Sequence, residues 1–140
     1  MTDTQTIEAL ADALDDAFKA RATYRKVIER FGPTPPFANI VEAEERHVAA
    51  LLAQFRRLGA TPPKDRWDGR VDAPLSIANA CADAVRAEID NDALYERLLD
   101  RVTDPQARLV MERLQAASRS RHLPAFKRCL EREGRGRRSF

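Results

Sequence analysis

In the stretch FANIVEAEERHVAALLAQF, residues Ile40, Glu44, His47, Leu51 and Phe55 recur at the spacing of one helix face. The apolar side of that helix therefore carries a carboxylate and an imidazole three residues apart. Buried alone, either group costs free energy unless a suitable partner meets it. A fold for this chain must bring such partners from other segments to the level of Glu44 and His47. An inward Glu/His pair at i, i+3 is also a pattern by which helical bundles hold transition metals.

Strong breakers divide the sequence into four periodic stretches. From a frayed start, with Thr4 or Thr6 as N-cap, helix one is expected to run to Arg30 or Phe31. Leu10, Leu14, Ala17, Tyr24 and Ile28 make its apolar stripe. Beside it lies a strip of small residues with Asp16 in its middle. Gly32-Pro33-Thr34-Pro35-Pro36 ends that helix. Helix two runs from about Pro36 to Leu58, with Gly59 as its stop. The short turn makes the two an antiparallel hairpin. Residues 60–74, ATPPKDRWDGRVDAP, have no period and three prolines. Helix two is roughly 35 Å long, and about 15 extended residues span roughly 50 Å. This segment can therefore return along the bundle and start helix three parallel to helix two, with Trp67 packing it down.

Helix three is expected from Ser76 to Asp100, with Glu88 mid-helix on its inward face. Asp104 caps helix four and Pro105 takes its first position. The inward residues of helix four include Met111, Ser118, His122, Phe126 and Cys129, and Pro124 is expected to kink it near Ser120. The reading is all-α: one four-helix bundle over residues 1–132, with a long crossover between helices two and three. Residues 133–140, EGRGRRSF, are expected to form a disordered basic tail.

Net charge excludes little but nucleic acid: +2 in 140 residues gives no basic field. No run of 18 apolar residues spans a membrane and no apolar signal core follows Met1, so a cytoplasmic location is expected. Cys81 and Cys129 are far apart in sequence and form no CxxC. They read as buried thiols in a reducing compartment, ahead of a disulfide.

The helix midpoints fall at roughly residues 18, 47, 88 and 118, within the uncertainty of helix ends. Asp16, Glu44, His47, Glu88 and His122 each lie within about one turn of a midpoint, on or beside an apolar stripe. Near-antiparallel helices place midpoints at one height. Both histidines of the chain are in the set. Carboxylates and neutral imidazoles together suit iron, manganese or zinc. The competing reading is a polar core network in which cations and protonated histidines neutralise the acids. Tyr24 and Tyr95 lie near enough to be considered as electron donors, against ordinary packing. Asn91 is placed to hydrogen-bond a ligand.

The stretches ALDDAFKARATY, PFANIVEAEERHVAAL, AEIDNDALYERLL and ASRSRHLPAF cover all four helices. In them the chain resembles a bacterial and archaeal branch of the ferritin-like superfamily, related to rubrerythrins and bacterioferritins. The resemblance implies a four-helix bundle with a diiron-type site at Asp16, Glu44, His47, Glu88 and His122. Two positions depart from it. Asp16 is one methylene shorter than the glutamate expected there, and Arg119 stands three before His122 in place of a glutamate. If Arg119 points inward, the charge suits one ion and the Glu44/His47 half is the stronger. If it reaches out to solvent, a second ion is allowed. The expected function is metal binding, iron first, with iron/oxygen or peroxide handling as a diiron-type oxidoreductase or ferroxidase. Storage or delivery without catalysis is a second reading. The alternative is a metal-free bundle that works as an interaction or homodimerisation module.

Overall fold

Each rod begins and ends where local chemistry dictates. The computed structural model describes residues 3–138. Helix α1 spans Thr4–Phe31; Asp3 is its N-cap and accepts from the backbone N–H of Thr6, so the cap falls one residue before the expected threonines. Helix α2 spans Phe37–Leu58 and ends at Gly59, whose left-handed backbone (φ 67°) suits a residue without Cβ. Helix α3 spans Ile77–Leu99, capped by Ser76. The fourth rod is composite: α4 (Pro105–Ala117) with Asp104 as cap, a π-helical turn (Ser118–His122), and α5 (Leu123–Arg138).

The π turn lies where Pro124 was expected to bend the helix. Proline has no N–H to offer Ser120, and its ring crowds that carbonyl. One widened turn just ahead relieves the crowding, and the N–H of Leu123 bonds back to Ser118, five residues away. The helix then continues through Arg138, so residues 133–138 are helical where a disordered tail was expected. Residues 139 and 140 lie outside the described residues.

Side-chain pairings fix the directions of the rods. Tyr24 meets Glu88, Asp16 meets Asn91 and Thr6 meets Thr103, so α1 and α3 are antiparallel. Arg57 meets Asp104 and Glu44 meets His122, so α2 opposes the fourth rod. Arg21 with Glu45 and Tyr24 with Phe37 oppose α1 to α2. Helices α2 and α3 are therefore parallel, as the long crossover requires. Trp67 packs that crossover onto the core, and its indole N–H donates to Asp15.

The core divides into two apolar clusters. One holds Leu10, Leu14, Leu51, Phe55, Leu98 and Met111. The other holds Tyr24, Phe37, Ala84 and Phe126 with Cys81 and Cys129. The cysteines correct the sequence reading: they form a disulfide between α3 and α5, with Cα atoms 5.9 Å apart. Antiparallel packing brings them opposite each other, which 48 residues of separation conceal. Among the described residues, no helix is long and apolar enough to cross a membrane.

Candidate metal centre

Glu44 is buried at the middle of α2 because its neighbours on that face, Ile40, Val48 and Leu51, are core residues. Its two oxygens face different imidazoles. Oε1 is 3.5 Å from Nδ1 of His122, and Oε2 is 3.6 Å from Nδ1 of His47. Glu88 enters from α3, with Oε1 also 3.5 Å from Nδ1 of His122. All three groups are at least 95% buried. The rings of His47 and His122 stack at 5.4 Å with 16° between their planes. Both imidazoles thus converge on the buried carboxylates.

Glu44, Glu88 and His122 each offer a ligand atom, and these atoms all lie within 4.8 Å of one another. Nδ1 of His122 has no hydrogen-bond partner although it is buried. An orphaned buried nitrogen flanked by two carboxylate oxygens is a donor set arranged for a cation. The residues therefore fit a divalent transition metal. His47 and Asp16 lie outside this compact set. The sequence makes Glu44/His47 the stronger half only if Arg119 points inward; the close grouping falls on the His122 side.

Asp16 approaches from α1, half-buried, and accepts a hydrogen bond of 2.6 Å from the amide of Asn91. Burial, reinforced by the charges of Glu44 and Glu88, raises its pKa to about 6. Burial also opposes the charged form of His122, but the two carboxylates outweigh it and raise its pKa to about 9. Burial pushes Glu44 upward, yet the two imidazoles prevail and its carboxyl titrates below its ordinary range. Tyr24, fully enclosed, donates a 3.0 Å hydrogen bond to Oε1 of Glu88. Burial holds that phenol well above its ordinary value, so it is a permanent donor.

Arg119 points out. It pairs with Asp92 and Glu96 on the surface of α3, and its side chain is 54% exposed. Ser118 and His122 take the inward positions on either side of it. The arginine therefore leaves the three carboxylates Asp16, Glu44 and Glu88 uncancelled. Its partners were not legible in the sequence, nor was the hydrogen bond that buried Gln115 donates to Glu96. Both depend on which α3 residues the fourth rod meets.

Two solved structures share this architecture. One is a conserved hypothetical protein from Mycobacterium tuberculosis, at TM-score 0.75 and 17% identity, covering 94% of each chain. The other is a ferritin-like, diiron-carboxylate protein from Bacillus anthracis str. Ames, at TM-score 0.73 and 20% identity, covering 93% of this chain and 98% of that one. This chain has the ferritin-like fold. No family model matches the sequence, and no curated protein does. Within this ferritin-like bundle the polar residues gather at mid-height between the two apolar clusters.

Proposed function

We propose that this protein binds a divalent transition metal, iron in the first place, at Glu44, Glu88 and His122. The observation that carries the reading is the buried, partnerless Nδ1 of His122 held 3.5 Å from one oxygen of each carboxylate. The similarity in fold to a diiron-carboxylate protein supports iron over zinc. Glu44 turns its second oxygen toward His47, which suits a carboxylate shared between two ions. Asp16 and His47 would complete the place of the second ion. With Arg119 turned away, three carboxylates and two imidazoles face two divalent ions, so the charge argument for a single ion loses its premise.

Bound iron with an open coordination position would supply redox chemistry with oxygen or peroxide. The chain's own part is to exclude bulk water, fix the donors on rigid helices, and keep Glu88 oriented through Tyr24. Titration with Fe(II) under anaerobic conditions, followed by metal analysis, tests the reading. Tight uptake is expected, at least tenfold weaker in His122→Ala. Uptake unaffected by that substitution, or none at all, would contradict it. Oxygen consumption on admitting air then separates oxidation from storage.

A further inference from the structure

A cavity of about 340 Å³ opens between α1 and α3 and reaches down to Glu44 and Glu88. Its walls include Lys19, Ala20, Arg86, Ala87 and Asn91, and Asp16 lines it together with the two carboxylates. Neither imidazole lines it. The space therefore approaches the centre from the carboxylate side, opposite the histidines.

Three observations say what it can take. First, size: a water occupies about 30 Å³ of liquid, so the space equals roughly eleven waters. Dioxygen or peroxide needs a small fraction of that, and cavities above about 300 Å³ are the usual size of small-molecule sites. Second, shape: the methyl groups of Ala20 and Ala87 line it on either helix, beside the longer Lys19 and Arg86. Third, polarity: the amide of Asn91 gives its N–H to Asp16, while its oxygen is buried without a partner. That oxygen is closed to solvent, so the donors around the space are Lys19, Thr23 and Arg86, with Ala20 and Ala87 as an apolar rest.

We propose that this cavity seats a small organic molecule that presents an oxygen-donor head to the metal and a polar group to the donors along its wall. Its body lies against Ala20 and Ala87. The inference rests on the metal reading above and names the class of ligand that reading lacks.

Hydroxamates are suitable probes because they present a chelating oxygen pair on a small organic body. The protein is loaded with Co(II), its metal content counted, and the visible spectrum followed during titration with azide or benzohydroxamate. Both probes are expected to perturb the spectrum of the native chain. Ala87 is exposed, so Ala87→Phe narrows the mouth without entering the core. That variant should bind benzohydroxamate at least tenfold more weakly, with azide affinity within twofold and the Co(II) count unchanged. Ala20→Leu, on the opposite wall, should do the same. Azide binding without benzohydroxamate binding in the native chain would overturn the proposal, as would benzohydroxamate binding indifferent to both substitutions. A chain that takes up no Co(II) fails at the metal count, before any probe is added, and refutes the metal reading itself.

Discussion

Nδ1 of His122 stands 3.5 Å from an oxygen of Glu44 and an oxygen of Glu88, where either a proton or a metal ion satisfies all three groups. Without metal the proton takes the place. The pKa of His122 then lies near 9, above its ordinary 6.5, so its contribution to stability is complete below about pH 6.5 and lost as pH rises through 9. Asp16 acts in the same sense: raised from 3.8 to about 6, it stabilises fully below pH 3.8 and ceases to as pH passes 6. Chelator-treated protein should therefore unfold at falling urea concentration between about pH 5 and pH 9. Excess divalent metal should reverse the trend, because protons and metal compete for the same atoms. A metal-free midpoint that rises over this range would contradict the assignment. Tyr24→Phe removes the phenol that donates to Glu88, and leaving a buried carboxylate oxygen short of a donor costs about 1–3 kcal/mol. Urea unfolding of the metal-free variant measures it. Glu44, His47, Glu88 and His122 were legible as buried polar residues because each interrupts an apolar stripe near mid-helix. The Tyr24–Glu88 bond was not, since a tyrosine at core spacing reads first as packing.

At the scale of the element, the π turn decides what the fourth rod contributes. It widens one turn at Ser118–His122, with Ser118 and His122 facing in and Arg119 facing out. Periodicity set Ser118 and His122 inward but left Arg119 open, because one changed hydrogen bond redirects a side chain without altering residue types. The resemblance to diiron proteins suggests that Arg119→Glu would restore a missing ligand. The structure predicts otherwise: the new carboxylate points to solvent, so metal stoichiometry and affinity should stay within about twofold of the native chain. Its measurable effect should be on stability. Losing exposed ion pairs to Asp92 and Glu96 costs about 0–1 kcal/mol, with like charges adding a similar penalty. A variant that gains a tight equivalent of metal would show that the turn can rewind. The helix caps, in contrast, were readable from composition: Ser76, Asp104 and Gly59 each sit where their local chemistry ends or begins a helix.

On the scale of the whole molecule, two antiparallel hairpins close around the polar centre, and the Cys81–Cys129 disulfide ties the two rods that bring Glu88 and His122. Each cysteine lies seven residues, about two turns, from one of those ligands along its own helix. The disulfide closes a loop of 48 residues, for which the loss of chain entropy in the unfolded state corresponds to roughly 2–4 kcal/mol. Cys81→Ser with Cys129→Ser should therefore lower the urea midpoint, and a reductant should lower that of the native chain but not of the double variant. Equal midpoints with and without reductant would show that the bond adds no stability. The pairing escaped the sequence because it depends on the register between α3 and α5, which no local pattern records. The cavity escaped for a related reason, being formed where α1 and α3, distant in sequence, pass each other.

An anomalous difference map from a crystal grown with Fe(II), recorded at the iron edge, tests the central claim most directly. The account predicts a peak bounded by Glu44, Glu88 and His122, with any second peak toward His47 and Asp16. A map with no peak between those three side chains, or with iron only at surface carboxylates, would contradict it.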